Sequence, residues 1–441
     1  MDRPADIVCD TLVVGGGAAG VAAAAELCRA GLTVELAEQR PALGGAYYRQ
    51  PAGRAAGMQA GDRRARQWSR LEDELRRAAV TPRLRHVFLG VDTDGLVLLD
   101  DRNGGRVRTV RTRAVIVAVG AVERVLPRPG WQLDGVVTAG GLQMLIKETG
   151  EAPRGDIVIA GNGPLAVALA ADLARLGRPP VAVVEAGDPL ARPLAALRMA
   201  AFPGLVAEAA AHLVRVRAAG TPWLRGSRLT SISREDGRLL ASIEDRNGAT
   251  RRIRADTVAL HDGIRPNDFG LPATARGEPF VLRAGDCREA LGVGAAEADG
   301  RAAAREAVAL LTGTAPRRHA PEVSRQRRAQ AVLGALFEPV RDDGGLAALP
   351  EETVLCRCEG RTVGQLRAML TEPDPVGPRE IKLNGRFGMG SCQGRFCADN
   401  VQALIAAARP GTVAGPLSRD RWPARPVLIA ALAAEEETRE E

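Results

Sequence analysis

The 441 residues are 46% apolar and 26% charged, enough for two or three domains that each bury a core. The net charge of +7 is almost wholly arginine, since Lys147 and Lys382 are the only lysines, and aromatics make up only 3%. Those arginines are scattered among acidic residues with no basic run and no interleaved aromatics, which argues against a nucleic-acid partner. No stretch reaches the roughly 18 apolar residues that cross a bilayer.

Met1-Asp2-Arg3 leads directly toward a strand without a signal-peptide layout, so the expected location is cytoplasmic. Seven cysteines in such a chain point to metal ligands or buried thiols rather than disulfides. Cys9, Cys28 and Cys287 stand alone, and no C-x-x-C dithiol is present.

In chain order, the apolar patterning predicts a strand at 7–14, a helix at 18–30 and a second strand at 33–37. A charged helix follows at 63–79. Residues 85–119 alternate as strands, with a hairpin turn at Asn103-Gly104-Gly105. A second β-α-β pattern occupies 156–185 and alanine-rich helix continues to about 219. Strands return at 228–260, broken by Asp236-Gly237 and Asn247-Gly248, and a strand at 280–283 leads into a helix at 295–311. The polar stretches at 314–322 and 341–351 read as linkers around one helix. The expected division is nested: a first nucleotide-binding part at 1–150, an inserted second unit at 151–265, and the return of the first at 266–315. A helical linker at 316–350, a cysteine-bearing module at 351–410 and an extension at 411–441 complete it, with the acidic end at 435–441 read as disordered. The fold class is α/β, with two nested Rossmann-like domains followed by a small cysteine domain.

Gly15, Gly17 and Gly20 fit G-x-G-x-x-G directly after an apolar strand and directly before a helix. Gly15 permits the tight turn, Gly17 lets backbone approach a pyrophosphate, and Gly20 allows close helix–strand packing. Glu38 ends the second strand, where a carboxylate binds ribose hydroxyls. Gly44 and Gly45 follow in Leu43-Gly44-Gly45, Gly120 closes Ala114-Val-Ile-Val-Ala-Val-Gly120, and Gly285-Asp286 comes after a distant strand. Together these resemble the glutathione-reductase-like flavoprotein superfamily. That resemblance implies FAD, with paired glycines flanking the pyrophosphate and the late Gly-Asp contacting the ribityl chain. The chain between Ile264-Arg-Pro-Asn267 and the strand at 280 is short for that superfamily, so the cover on this side of the flavin is expected to be reduced.

Gly161, Gly163 and Ala166 repeat the strand–glycine–helix layout, with Pro164 at the first helical turn. Glu185 ends the next strand, where an acidic group favours a free 2′-hydroxyl, so NAD(H) is preferred to NADP(H). The same glycines also serve for packing alone, or for ATP or another adenine nucleotide.

Cys356-Arg-Cys358 and Cys392-Gln-Gly-Arg-Phe-Cys397 are separated by 33 residues. Four converging thiolates suit a [2Fe-2S] cluster or tetrahedral zinc, and the chemistry alone does not choose between them. Gly388, Gly390 and Gly394 would let backbone N–H groups reach sulfur, and Thr362 reads as the N-cap of the helix after Cys358. Leu355-Cys-Arg-Cys-Glu359 with Gly388-Met-Gly-Ser-Cys-Gln-Gly-Arg-Phe-Cys397 resembles the bacterioferritin-associated-ferredoxin-type [2Fe-2S] domain, in the variant carried by the flavin subunit of opine oxidases, hydrogen cyanide synthases and related heteromeric amino-acid dehydrogenases, including proline and hydroxyproline dehydrogenases. Pro129-Gly-Trp131 through Gly135-Val-Val-Thr-Ala-Gly140-Gly-Leu-Gln143 and Arg425-Pro426-Val427 are further shared signatures.

That resemblance implies FAD and a [2Fe-2S] cluster ligated by Cys356, Cys358, Cys392 and Cys397. It implies a partner FAD subunit, related to D-amino-acid and glycine oxidases, that takes hydride from the C–N bond of a small amino acid, imino acid or opine. Electrons would then pass to this chain, with an FMN at the subunit interface as one route, and on to an external acceptor. It also admits membrane association through the acceptor, as well as a small ferredoxin-like subunit. No residue of this chain is assigned to the catalytic step. Two alternatives remain open: a free-standing NADH-dependent reductase, like the flavin half of nitrite reductases, and a non-catalytic regulatory or scaffold subunit.

Overall fold

Ile7–Val14 forms because its β-branched and apolar residues are sealed on both faces from Thr11 onward, the pattern of a central parallel strand. The computed structural model describes residues 5–51, 63–271, 279–315, 318–340, 345–371, 376–409, 417 and 423–440. The chain divides into two units: Met1–Val122 with Ile264–Arg328 and Asp420–Glu441, and Glu123–Gly263 with Ala329–Arg419.

In the first unit, Ile7–Val14 pairs in parallel with Val34–Glu38 on one side and with Arg106–Val117 on the other. The strand Arg106–Val117 divides its outer edge. Its first half pairs antiparallel with Val97–Asp101, and its second half pairs in parallel with Phe280–Arg283. The helix Ala18–Arg29 crosses Val293–Leu311 through small residues, with Gly300 against the Ala19 carbonyl and Ala303, Ala304 and Ala307 in the same core. Trp68, Leu71 and Leu75 of Arg63–Arg77 close that core.

The second unit is built on five parallel strands in the order Trp223–Arg225, Ala182–Glu185, Ile157–Gly161, Thr257–His261 and Val136–Thr138. An antiparallel sheet of Arg228–Glu235, Arg238–Glu244 and Thr250–Ala255 packs its own apolar face into the same core. Among the described residues, hydrogen bonds to main-chain carbonyls tie the cysteine module to this unit. Trp131 Nε1 donates to the Val354 carbonyl at 2.6 Å, and Asn400 Nδ2 donates to the Val125 carbonyl at 2.9 Å.

Several expected borders move. The first lies after Val122 and not at 150, because Val136–Thr138 pairs with Thr257–His261 and carries Ala139–Thr149 into the second unit. The helix Pro321–Leu336 is more than a linker, since Ala329, Val332, Leu333 and Leu336 pack with Met199 and Phe202. The extension does not stand apart: Val427 and Leu432 pack on Leu89, Leu98 and Val107 of the first unit. The tail read as disordered forms the end of the helix Ile429–Glu440, consistent with its alanine and glutamate content. Residues 272–278, the core of the shortened stretch, lie outside the described residues. Among the described residues no single helix is long and apolar enough to cross a membrane.

A buried ionic brace, not evident in the sequence, holds the return strand. Asp299, 3% exposed, accepts from the Gly285 amide at 2.8 Å, from Arg288 at 2.7 Å and from Arg318 at 2.8 Å. Burial opposes its charge, yet Arg288 and Arg318 hold the carboxyl below its ordinary pKa. Asp299→Ala leaves two arginines facing each other and is expected to cost about 3 kcal/mol in denaturant unfolding. A loss below about 1 kcal/mol would show that the brace is dispensable.

Candidate functional site

The first glycine loop is shaped by backbone meeting backbone. Gly15 has φ +106°, and a β carbon there would lie 2.5 Å from the Ala118 carbonyl oxygen. A β carbon on Gly20 would collide with the Gly15 carbonyl. Gly17, the N-cap of Ala18–Arg29, has only the Gly45 Cα near its missing side chain, at 3.6 Å. Gly44 (φ +112°) donates its amide to the Gly16 carbonyl at 2.8 Å, locking the second glycine pair against the first loop. The unpaired amides of the helix start therefore face a place lined by bare backbone, the cradle a pyrophosphate needs.

Glu38 is 5% exposed and braces this loop. Its Oε2 accepts from the Gly16 amide at 2.7 Å and its Oε1 from the Arg40 amide at 2.8 Å. Gly120 (φ +75°) offers its carbonyl to the Asn267 amide at 3.0 Å. Asn267 Oδ1 in turn accepts from Arg425 at 3.0 Å, which gives the Arg425-Pro-Val signature a place beneath this turn. Gly285 (φ +63°) packs on Ala19 and Ala296. Asp286 engages Oδ1 alone, from the Leu291 and Gly292 amides, each at 3.0 Å, and burial raises its pKa. The first unit thus brings Gly15, Gly17, Gly20, Glu38, Gly44 and Gly45 into one loop cluster, with Gly285 against the same helix and Gly120 at the end of the neighbouring strand. Cys9 and Cys287 are buried thiols pushed up to about 11 by desolvation, unsuited to nucleophilic chemistry.

The second loop has the same grammar. A β carbon on Gly161 would collide with the His261 carbonyl, Gly163 (φ +112°) caps Pro164–Arg175, and Ala166 is fully buried. Glu185 Oε1 accepts from the Gly163 amide at 3.0 Å, while its Oε2 is buried without a partner. Desolvation pushes its carboxyl up to about 8. Sequence reasoning missed His261 and Glu123, both largely buried and paired at 3.2 Å beside this loop. They lie on different strands, and no motif announces them.

In the cysteine module, Thr362 caps Val363–Leu370 in a reciprocal capping box with Gln365. Cys356 meets Cys397 and Cys358 meets Cys392, and Cys392 also acts on Cys397, so the four thiols form one group. Among the described residues, no three His, Cys, Asp or Glu side chains converge closely enough for a single metal ion. Amides of Gly388, Glu359 and Cys358 reach Cys356, and those of Phe396 and Gly394 reach Cys392. Gly390 serves a different need from the one expected, because a β carbon there would collide with the side chain of Cys358. The hydrogen bond from Cys397, helped by those amides, holds the Cys356 thiol down to about 6, while Cys397 keeps the shared proton and is raised. Cys356 and Cys397 are buried, and Cys358 is exposed.

Residues 9–281 match the family described as pyridine nucleotide-disulphide oxidoreductase. The chain belongs to that family. An opine oxidase subunit of Agrobacterium tumefaciens is 31% identical, with 96% of this chain and 91% of that one covered. Hydrogen cyanide synthase subunit HcnB of Pseudomonas aeruginosa is also 31% identical, over 95% of this chain and 97% of that one. L-proline dehydrogenase from P. horikoshii shares the fold, with a TM-score of 0.65 and 18% identity over 97% of this chain and 79% of that one. The protein is accordingly a flavin-dependent oxidoreductase, and the opine oxidase and hydrogen cyanide synthase relatives are subunits of heteromeric enzymes.

Two outcomes follow from this geometry. Gly17→Ala has room for its β carbon in the folded chain but places a methyl group in the space over the helix start. It should retain native unfolding behaviour while losing bound flavin absorbance, and flavin retention at wild-type level would refute the cradle assignment. Glu185 carries a folded pKa of about 8 against an ordinary 4.5, so the folded state holds a proton that the unfolded chain releases. Its stabilising protonation is intact below pH 4.5 and is lost as pH rises through 8, whereas Glu185→Gln removes that dependence. Parallel pH–stability curves for the two proteins would contradict the burial argument.

Proposed function

We propose that this chain is the electron-transferring flavin and iron–sulfur subunit of a heteromeric dehydrogenase acting on the C–N bond of a small amino acid, imino acid or opine, glycine oxidation to cyanide included. Substrate oxidation belongs to a partner FAD subunit of the D-amino-acid- and glycine-oxidase-like kind. The observation that carries this reading is one chain holding both a bare-backbone dinucleotide cradle and a four-thiol module, similar from end to end to a subunit of opine oxidase.

Gly17 and Gly45 keep side chains out of the FAD seat, Gly15, Gly20, Gly44 and Gly285 let the surrounding backbone close around it, and Gly120 ends the neighbouring strand, while Glu38 and Asp286 supply carboxylates for ribose and ribityl hydroxyls. Cys356, Cys358, Cys392 and Cys397 are the ligands of a [2Fe-2S] cluster. The backbone amides that reach Cys356 and Cys392 suit the anionic sulfur of such a cluster, which supports iron–sulfur over zinc. Bound flavin supplies two-electron acceptance with stepwise release, and the cluster supplies single-electron carriage. The exposed Cys358 marks the edge at which an external acceptor approaches.

A free-standing NADH:acceptor reductase is favoured by one observation, the second glycine loop with Glu185 at its strand end. The readings separate on expression of the chain alone and with its partner. The companion reading expects amine oxidation only from the pair, with iron and acid-labile sulfide in both preparations. It also expects Cys392→Ser to reduce turnover to an artificial acceptor by about a hundredfold or more. Amine-oxidising turnover by the lone chain would rule the companion role out, and unchanged turnover in Cys392→Ser would leave a scaffold.

A further inference from the structure

A Rossmann unit seats the adenosine half of its nucleotide at the carboxyl end of its second strand. The ribose needs the acidic residue there, and the pyrophosphate needs the adjacent glycine loop. In the second unit that place, beyond Ala182–Glu185, is taken by the chain itself. The Ala186 amide donates to the Gly161 carbonyl at 3.0 Å, and the Ala186 carbonyl accepts from the Val340 amide at 3.1 Å. The N–H and C=O of one extended residue point to the same edge, so residues 337–340 lie on the glycine-loop side of the strand. Gly187 forms an antiparallel bridge with Pro339, and a β carbon on Gly187 would lie 2.7 Å from the Phe337 carbonyl oxygen. Arg192 holds the same strap by an ion pair with Glu338 at 3.0 Å. The Gly187 amide also donates to Asn162 Oδ1 at 3.1 Å, which fastens the residue under the strap to the glycine loop. Glu185, one residue before these contacts, is fully buried, with Oε2 making no hydrogen bond and the Gly163 and Gly187 amides directed at its carboxyl.

We propose that residues 337–340 are a built-in occupant of the adenosine position of the second glycine loop. The second unit then takes neither NAD(H) nor ATP, and Phe337, Pro339 and Val340 decide which electron donor the protein accepts. The consequence that electrons arrive only from a partner subunit rests on the companion reading; the occupancy of the site does not.

Calorimetric titration of the FAD-loaded full-length chain with NAD+, NADH and ATP tests the occupancy. The wild-type chain is expected to show no saturable binding. Gly187→Ala drives a β carbon into the Phe337 carbonyl, and Gly187 is not in a left-handed conformation, so the change acts on the strap and not on its own backbone. Val340→Pro deletes the amide that bonds Ala186. Each variant releases the strap and should gain NADH affinity by about tenfold or more, as expected when the binding-competent fraction rises. Saturable wild-type binding that Glu185→Gln weakens would overturn the proposal. The absence of any gain in both variants, each with a native circular dichroism spectrum, would also overturn it. Failure of the companion reading shows instead as amine oxidation by the lone chain, so the two failures are told apart.

Discussion

The flavin unit depends on the absence of β carbons where its first helix meets its surroundings. Gly15 lies against the Ala118 carbonyl, Gly20 against the Gly15 carbonyl, and Gly300 against the Ala19 carbonyl. These approaches draw Ala18–Arg29 down between the sheet and Val293–Leu311 until its first amides face bare backbone at Gly17 and Gly45. A methyl group at Gly20 or Gly300 would lift the helix and move the positive end of its dipole away from any phosphate. The brace at Asp299 serves the same end from the other side, fixing Gly285 by its amide.

The two glycine loops show one local grammar completed by different partners. In each, the acidic residue ending the second strand accepts an amide of the loop, Gly16 for Glu38 and Gly163 for Glu185. Glu38 has a second amide, from Arg40, for its other oxygen. Glu185 Oε2 makes no hydrogen bond, and the Gly163 and Gly187 amides offset only part of the cost of burial, so desolvation pushes this carboxyl up to about 8. The difference arises from what covers each strand end, and residues more than 150 positions away supply that cover in the second unit.

The cysteine module illustrates a similar division. Spacing alone admits zinc or iron–sulfur, because both need four thiolates. What the fold adds is the contact between the Cys392–Cys397 turn and the Cys356–Cys358 turn, which brings Cys356 to Cys397 and Cys358 to Cys392 and directs backbone amides at Cys356 and Cys392. Trp131 and Asn400 hold that arrangement to the second Rossmann unit through single hydrogen bonds to main-chain carbonyls. A tryptophan in a proline–glycine turn marks itself as unusual in the sequence, but its partner at Val354 could not be named from there.

Much was legible in the chain alone. Alternating apolar runs, glycines between strand and helix, and Asn-Gly or Asp-Gly turns are local signals. They suffice to place the strands at 7–14, 157–161 and 228–260, the Thr362 cap and both glycine loops. The domain borders could not be placed in this way, because membership is decided by pairing partners. Val136–Thr138 belongs with Thr257–His261 only once the sheet is assembled, and Val427 finds Leu89 and Leu98 only in the folded unit. The ion pairs of Asp299, the His261–Glu123 contact and the strap over Gly187 are likewise meetings of distant segments. Local propensity determined the elements and the chemistry each loop could offer. The tertiary fold decided which loop stays open and which is covered, because burial and pairing are properties of what lies across the space and not along the chain.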